Sequence, residues 1–233
     1  GENKMTDSHW FIECMERGAK LVTIAPEYSP PATKSDYWIP VRPQTDAALF
    51  LGITRIMIDR GWYDEAFVKG FTDFPLLVRT DTLKRLKARD IVPDHKGRLS
   101  PDGASFATQA LTQEQYGQIG DCVVWDANTD GPKAISRDEV GGRMRQSGID
   151  PVLDGAFTVT LVDGREVEVM TVWRLYAIHL RDYGLDAVQA ITQAPTELIE
   201  RLANDLATIK PVAIHQGEGI NHWFHATEMN RAA

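Results

Sequence analysis

The stretch Lys20–Leu49, KLVTIAPEYSPPATKSDYWIPVRPQTDAAL, decides how this chain folds. Its apolar start, Leu21–Ile24, is typical of a parallel strand buried on both faces. A turn with Glu27 follows, then a short extended run that ends at Pro43, and then an apolar helix that opens at Asp46. Ligands of open α/β sheets bind at the carboxyl ends of strands, where this order places both acids. The stretch therefore predicts an α/β fold with a site for a nucleotide-like ligand.

Each of the two acids also has an ordinary interpretation. Glu27 could be a solvated side chain in a proline-rich turn, and Asp46 could be a helix N-cap and nothing more. One acid follows each extended run, and the backbone N–H groups at a helix start attract polar or anionic ligands. This joint placement favours the functional interpretation.

The composition limits the class of protein. The chain has 233 residues, of which 43% are hydrophobic, 25% charged and 9% aromatic, as in ordered globular proteins of one or two domains. A net charge of −8 argues against a nucleic-acid-binding surface. No apolar run approaches the ~18 residues of a membrane span. Any membrane association is therefore expected to come through a partner.

The two cysteines, Cys14 and Cys122, exclude a disulfide framework. They are also too few to hold an iron–sulfur cluster within this segment. Cys14 falls on the apolar side of a predicted helix, so we expect it to be a small core residue.

Three segments follow one another along the chain. Residues 1–78 read as an α/β segment with the ligand site, 79–156 as a loop-rich insertion, and 157–233 as an α/β segment with a second glycine turn. A hairpin at residues 157–169, a strand at Cys122–Trp125 and a buried strand at Lys210–Ile214 are predicted as well. The predicted helices are Thr6–Gly18, Asp46–Arg60, Asp64–Lys69, Thr171–Tyr183, Asp186–Ile191 and Thr196–Ile209. The first and last residues lead us to expect a fragment of a longer polypeptide.

The second glycine turn lies in Val212–Trp223, VAIHQGEGINHW. Its glycines would let the backbone approach a ligand, and Asn221 could cap a helix that faces it. An ordinary loop between strand and helix explains the same residues equally well, and the full GxGxxG pattern is missing. His222 and His225 have helical spacing but no third ligand, so no metal site is predicted.

Several of these segments resemble the dimethyl sulfoxide reductase family of molybdopterin oxidoreductases. Ser35–Asp36 and Pro43–Asp46 match the family pattern of an Ala-Asp followed by Pro-Gly/Gln-Thr/Ser-Asp before a helix. Phe71–Arg79 and Gly217–His225 are similar to the branch of respiratory nitrate reductases, perchlorate reductases and nitrite oxidoreductases. Glu2–Phe11 is most similar to nitrite oxidoreductase alpha subunits.

The resemblance implies Rossmann-like parallel sheet segments in a multi-domain protein that binds molybdenum bis(molybdopterin guanine dinucleotide). Four groups of residues would contact this cofactor: the tail of a Gly-x-Asn loop, a turn along the guanosine diphosphate, residues that read the guanine edge, and residues near a pterin. In that order they are Glu2 and Asn3; Ala25, Pro26, Glu27 and Tyr28; Gln44, Thr45 and Asp46; and Glu218, Gly219, Asn221 and His222.

The family's cysteine-rich iron–sulfur segment and molybdenum-ligating aspartate would lie upstream of Gly1. The resemblance therefore assigns no catalytic residue and no metal ligand to this segment. It also implies that the fragment alone is inactive. The whole enzyme would oxidise nitrite to nitrate by oxygen-atom transfer and pass electrons to iron–sulfur clusters, with an iron–sulfur beta subunit as partner.

Two alternatives remain open at this point. One is a nitrate, perchlorate or selenate reductase of the same branch. The other is a noncatalytic α/β scaffold domain that docks a partner subunit through residues 79–147. The resemblance also leads us to expect a periplasmic enzyme, attached to the membrane only through other subunits, with the cytoplasmic face as the alternative.

Overall fold

The computed structural model describes residues 5–95, 121–136, 139 and 141–233. The chain divides into two compact units. Unit 1 comprises residues up to Tyr63 and from Leu180 onwards, and unit 2 comprises Asp64–His179. The predicted segments 1–78, 79–156 and 157–233 follow the order of motifs along the chain and stay a prediction, because the compact units have other bounds.

The elements alternate between helix and strand, as the α/β prediction requires. The α-helices within the described ranges are α1 (Met5–Glu16), α2 (Asp46–Asp59), α3 (Glu65–Phe71), α4 (Ala88–Ile91), α5 (Gly142–Gln146), α6 (Val172–His179), α7 (Leu185–Thr192), α8 (Thr196–Thr208), α9 (Glu218–Asn221) and α10 (Ala226–Ala232). The strands are β1 (Val22–Ala25), β2 (Tyr37–Pro40), β3 (Leu77–Arg79), β4 (Cys122–Asp126), β5 (Gly131–Ile135), β6 (Ala156–Thr160) and β7 (Glu166–Thr171). Short 3₁₀ turns occupy Ala32–Lys34 and Leu180–Asp182.

Unit 1 contains a parallel pair of strands. β1 pairs with β2 in a register that runs from Val22 opposite Tyr37 to Ala25 opposite Pro40. The predicted parallel strand is confirmed, but its burial on both faces is not, since every residue of β1 is only partly buried. β2 is its single partner among the strands of the described ranges, and a strand paired on one side keeps an open edge.

The core of unit 1 is formed by β2 and the helices that pack on it. α2 packs against α7, α8 and α10, and Gly52 permits the close approach to α7, because a Cβ atom there would lie 2.6 Å from Cγ2 of Val188. The buried residues of this core are Tyr37, Ile39, Val41, Leu49, Phe50, Ile53, Ile56, Val188, Ala194, Ile199, Leu202 and Ala203.

A charged network ties the amino ends of both strands to α8. Lys20 Nζ donates to both carboxylate oxygens of Asp205 at 3.0 Å, and the Tyr37 hydroxyl donates to Oδ2 of Asp205 at 2.9 Å. Leu21 and Asp36 also bond reciprocally, since the Leu21 amide donates to the Asp36 carboxylate and the Asp36 amide donates to the Leu21 carbonyl, each at 2.8 Å. The strands therefore start at fixed positions.

Unit 2 is built on antiparallel pairs. Its three-stranded sheet has the order β3-β7-β6, and β4 and β5 form a separate two-stranded pair. The predicted hairpin at residues 157–169 is confirmed by the pairing of β6 with β7, with Gly164 in the turn at φ +84. Apolar side chains fill the core between these elements, and the rings of Trp125 and Phe157 stack with centroids 4.0 Å apart.

The segment predicted as a loop-rich insertion holds more regular structure than expected. The strand at Cys122–Trp125 is confirmed as β4, whereas β5 and the short α4 and α5 were not predicted. β5 was not predicted because it begins with Gly131-Pro132, and both residue types are unfavourable in strands. Residues 96–120 of this segment lie outside the described ranges.

Asp126 organises the turn between β4 and β5. Its side chain is fully buried and accepts from the Asn128 amide at 3.2 Å, the Thr129 hydroxyl at 2.8 Å and the Asp150 amide at 3.0 Å. Burial opposes the charged form, but these donors outweigh it and lower the pKa of Asp126. This carboxylate supports the backbone of unit 2.

Two further sequence predictions are wrong. Cys14 is exposed and not a core residue, and Trp10, one turn before it on α1, is exposed as well, so this part of the helix surface is not buried among the described residues. The predicted buried strand at Lys210–Ile214 is not a strand, and Val212 and Ile214 are 42% and 51% exposed. An apolar run needs a neighbouring strand to bond its backbone, and none of the described strands pairs with this one.

The predicted helices are confirmed to within two residues at each end, if the 3₁₀ turn at Leu180–Asp182 is counted with α6. Gly18 and Gly61 end α1 and α2 with φ angles of +90 and +65, as glycines after helices commonly do. None of the described helices is both long and apolar enough to cross a membrane.

Replacing Asp205 with Asn is expected to destabilise the protein by about 1–3 kcal/mol at neutral pH, because it removes the charge that accepts from Lys20 and Tyr37. Burial alone would raise the pKa of Asp205, but the bonds from Lys20 and Tyr37 outweigh it and hold the pKa below its ordinary value of 3.8. The stabilisation is therefore present above that value and is lost as the pH falls below it. Thermal unfolding, followed by circular dichroism between about pH 7 and pH 3, measures this loss.

The matched control is Asp59→Asn, which removes an exposed pair with Arg55 within α2. The control should change the unfolding midpoint little. Equal effects of the two substitutions would contradict a special role for Asp205.

Candidate functional site

The candidate site lies at the carboxyl-end edge of the β1–β2 pair. β1 ends at Ala25 and β2 at Pro40, which are opposite each other in the register. Neighbouring strands lie about 4.8 Å apart, so the segments that follow Ala25 and Pro40 leave the sheet side by side. The turn with Glu27 and the segment 41–45 that leads to α2 therefore both leave the sheet at this edge.

The turn after β1 is held by Trp38 of the neighbouring strand. Its indole Nε1 donates to the Ala25 carbonyl at 2.9 Å, and its ring meets that of Tyr28 edge-to-face with centroids 5.4 Å apart. Pro26 and Glu27 form an exposed bend, within which the Ser29 amide donates to the Glu27 carbonyl at 2.9 Å. The carboxylate of Glu27 and the ring of Tyr28 are therefore presented to solvent from a braced backbone.

The start of α2 differs from the predicted cap. Asp46 is the first residue of the helix and Thr45 is the N-cap, but the Thr45 hydroxyl donates to the Arg42 carbonyl at 2.6 Å and does not cap the helix amides. Gln44 adopts a φ of +71, which non-glycine residues rarely do. Strained conformations of this kind are found at ligand sites, where the surrounding structure maintains them.

Asp46 is the electrostatic feature of this edge. It is half-buried, and this burial raises the pKa of its carboxyl group above the ordinary value of 3.8, although its own backbone amide partly offsets the rise. Asp126 and Asp205 are also buried, yet hydrogen-bond donors lower their pKa values. Asp46 is thus a carboxylate whose charge the protein itself stabilises poorly, and a ligand with N–H donors would stabilise it.

Together these groups can bind a planar, polar ligand. The carboxylate of Asp46 accepts hydrogen bonds, while the Gln44 side chain and the free backbone N–H groups of the first turn of α2 donate them. The helix dipole adds a positive field at the same end. Glu27 can accept bonds from hydroxyl groups of a bound ligand.

The second predicted group lies in another part of unit 1. Glu218, Gly219 and Asn221 belong to the four-residue α9, and His222 follows it directly. The Asn221 side chain accepts from the amide of Asn230 at 2.9 Å. Its role as a cofactor contact stays a prediction.

Two other predicted features are the pair Glu2 and Asn3 and the pair His222 and His225. Glu2 and Asn3 lie outside the described residues. His222 and His225 do not share a helix, because α9 ends at Asn221 and His225 precedes α10 with a φ of +62. No group of three possible metal ligands occurs among the described residues.

Unit 2 contains an open cleft of about 520 Å³ that includes none of the predicted site residues. Lys69 lies in its wall and pairs with Glu65 at 3.1 Å and with Asp150 at 3.2 Å. Burial opposes the charge of Lys69, but these two acids outweigh it and raise its pKa. A lysine that two acids hold in its charged form is a poor nucleophile or base. We therefore favour the edge in unit 1 as the functional site.

Sequence reasoning missed Trp38. The alternation in β2 was a usable signal, since Tyr37 and Ile39 point into the core and Trp38 and Pro40 point away from it. A large aromatic residue on the outer face of a strand, next to a predicted ligand turn, suggests a role beyond packing.

The chain is similar to known proteins over nearly its whole length. The model of the molybdopterin oxidoreductase family matches residues 2–233, so the chain belongs to that family. It is 33% identical to the respiratory nitrate reductase subunit alpha of Haloferax mediterranei over 98% of this chain and 22% of that protein. It is 31% identical to the perchlorate reductase subunit alpha of Dechloromonas aromatica over 99% of this chain and 25% of that protein.

The chain thus spans about a quarter or less of the curated relatives it matches. Among solved structures, acetylene hydratase from Pelobacter acetylenicus is similar over 97% of this chain and 18% of its own, with a TM-score of 0.50 and 17% identity. This similarity shows the fold alone, and the family's α/β architecture agrees with the parallel pair of unit 1.

Membership of the family implies a molybdenum–pterin cofactor. The edge at Asp46 fits such a group by its chemistry, because a half-buried carboxylate beside amide donors complements a heterocycle that carries N–H groups and a carbonyl oxygen. Asp46, Gln44 and the turn at Glu27 are the residues here that would hold part of it.

We expect Asp46→Asn to leave the unfolding midpoint of the ligand-free protein unchanged or to raise it at neutral pH. The raised pKa means that the charged form is costly in the folded state, and burial outweighs the favourable helix dipole. For an acid with a raised folded pKa, this cost disappears as the pH falls through that pKa. The gain of the variant should therefore shrink from about pH 7 to pH 4 in thermal unfolding experiments. A variant less stable than the wild type at neutral pH would show that Asp46 supports the fold.

Proposed function

We propose that this chain binds the nucleotide end of a molybdenum bis(molybdopterin guanine dinucleotide) cofactor in the catalytic subunit of an oxidoreductase. The observation that carries the proposal is the half-buried Asp46, with its raised pKa, at the start of α2. Asp46 lies six residues after the end of β2, whose last residue, Pro40, is opposite Ala25. A site that leaves a carboxylate short of donors is suited to a ligand that brings them.

Guanine is such a ligand. Its N1–H and amino groups are adjacent donors, and one carboxylate accepts from both in a bidentate arrangement. The guanine carbonyl oxygen would then face the side-chain amide of Gln44, since the Thr45 hydroxyl and amide already donate to the Arg42 carbonyl. Glu27 and the backbone from Ala25 to Tyr28 would contact the ribose and the diphosphate.

The second group of residues would approach a pterin. Glu218, Gly219, Asn221 and His222 are proposed for this role because of their family resemblance and the absence of side chains at the glycines. The molybdenum–pterin group supplies the oxygen-atom and electron transfer when bound, and the protein supplies binding and orientation.

For the reaction, the first candidate is the oxidation of nitrite to nitrate with electrons passed to iron–sulfur clusters. Its support is the resemblance of Glu2–Phe11 to nitrite oxidoreductases. The second candidate is reduction of nitrate, perchlorate or selenate, which is favoured by relatives named as nitrate and perchlorate reductase subunits. Both use small oxyanions, so the class of substrate is the same.

Partners and compartment are proposals as well. The relatives are named as alpha subunits, which supports a complex with other subunits, of which an iron–sulfur beta subunit is our choice. We propose a periplasmic location, with membrane attachment only through partners. Protease accessibility of the enzyme in spheroplasts would test this, because a protected enzyme would indicate the cytoplasmic face.

The cofactor proposal predicts about one molybdenum and two guanine nucleotides per intact enzyme. Asp46→Asn should lower the guanine content without loss of folding, since loss of a hydrogen-bonded charge costs about 1.5–3 kcal/mol of binding, or roughly 10- to 100-fold in affinity. Elemental analysis and chromatography of the acid-released nucleotide provide the measurement.

Asp59→Asn, at the other end of α2, is the control and should retain full content. An intact wild-type enzyme with neither molybdenum nor guanine nucleotide would leave the noncatalytic scaffold as the better interpretation.

The direction of the reaction requires a separate assay. The intact enzyme should oxidise nitrite with an artificial electron acceptor if the first candidate is right. Reduction of nitrate or perchlorate with a reduced dye, without nitrite oxidation, would establish the second candidate.

A further inference from the structure

We propose that Trp38 is a positioning residue that fixes the turn 26–28 for the nucleotide end of the cofactor and orients Tyr28 as a stacking surface for a planar base. This inference rests on the proposed function and extends it. Trp38 itself would touch no reacting atom and would act through the Ala25 carbonyl and the Tyr28 ring.

The first argument is the hydrogen bond at the end of the ladder. The parallel pairing of β1 with β2 ends where Ala25 lies opposite Pro40. The Ala25 carbonyl accepts from Trp38 Nε1 at 2.9 Å. The last peptide group before the turn is thus held by a side chain, at the point where the backbone pairing of the two strands stops.

The second argument is the contact with Tyr28. Tyr28 is 61% exposed, and its ring touches the Trp38 ring at an interplanar angle of 73°. The edge-to-face contact fixes the ring plane and leaves a broad aromatic surface open. Exposed aromatic rings of this kind stack on nucleobases and other planar heterocycles.

The third argument concerns the face of β2 that carries Trp38. Tyr37 and Ile39 belong to the core of unit 1, whereas Trp38 lies on the opposite face and is not among the described core residues. Its described contacts are those with Ala25 and Tyr28. A purely structural tryptophan would be expected to pack within the core.

The test uses the intact enzyme and Trp38→Phe, which keeps an aromatic ring near Tyr28 but removes the N–H donor. Trp10→Phe is the matched control, because Trp10 is an exposed tryptophan of the same unit on α1. Two quantities are measured: the rate at which guanine nucleotide is lost during prolonged dialysis, and hydrogen–deuterium exchange of the amides of residues 27–29.

With Trp38→Phe, we expect about tenfold faster loss of guanine nucleotide and about tenfold faster exchange of the turn amides, the effect of one lost hydrogen bond. The melting temperature and the exchange of α2 and α8 should stay at wild-type values. The Trp10→Phe enzyme should match the wild type in all measurements.

Three results would overturn the inference. Wild-type nucleotide retention and turn exchange in Trp38→Phe would refute the role of Trp38 and leave the proposed function intact. A fall in melting temperature with faster exchange throughout unit 1 would show that Trp38 supports the whole unit and not the turn. A wild-type enzyme without guanine nucleotide would refute the inference together with the proposed function.

Discussion

The parallel pairing of β1 with β2 is the constraint on which the arrangement of unit 1 depends. It sets Ala25 opposite Pro40, so that the segments that follow these two residues leave the sheet at one edge. The pairing is short, and two strands alone are only marginally stable. It is reinforced at the opposite end by Asp205, which accepts from Lys20 and Tyr37, and inside by the helices that cover β2. The reinforced end of the strand pair and the proposed ligand end are therefore at opposite ends of the strands.

Three acids, Asp46, Asp126 and Asp205, differ in the direction of their pKa shifts because their surroundings differ. Asp126 and Asp205 are surrounded by donors, their pKa values are lowered, and both hold backbone segments together. Asp46 has burial without sufficient donors, and its pKa is raised. Burial of a carboxyl group in this way costs stability, and acids with perturbed pKa values are frequent at ligand sites, so Asp46 supports the site proposed at this edge. The difference in pKa between Asp46 and these two acids is a clearer argument for a ligand site than the cleft of unit 2 is.

Much of the fold could be predicted from the sequence because its elements have strong local signals. The hairpin of β6 and β7 alternates regularly around Asp163-Gly164, and α2 has a long apolar pattern that ends at Gly61. Predictions failed where a residue's environment depends on distant elements. Cys14 is exposed and residues 210–214 form no strand, since hydrophobicity indicates that a face will be covered but not which element covers it. At the site, the acids were found from their positions after the strands, whereas the role of Trp38 required knowledge of the strand register.

The uneven anchoring of β1 has a mechanical consequence. At its start β1 is held by the bonds of Lys20 and Leu21, and it pairs with β2 as far as Ala25, whose carbonyl also accepts from the indole of Trp38. Four residues span about 13 Å, so a tilt of the strand pair by about 5° at its start would displace its other end by about 1 Å. Displacements of that size are large enough to impair a positioned cofactor. Substitutions at Asp205 would therefore change the angle of the strand pair and displace a group bound at its other end.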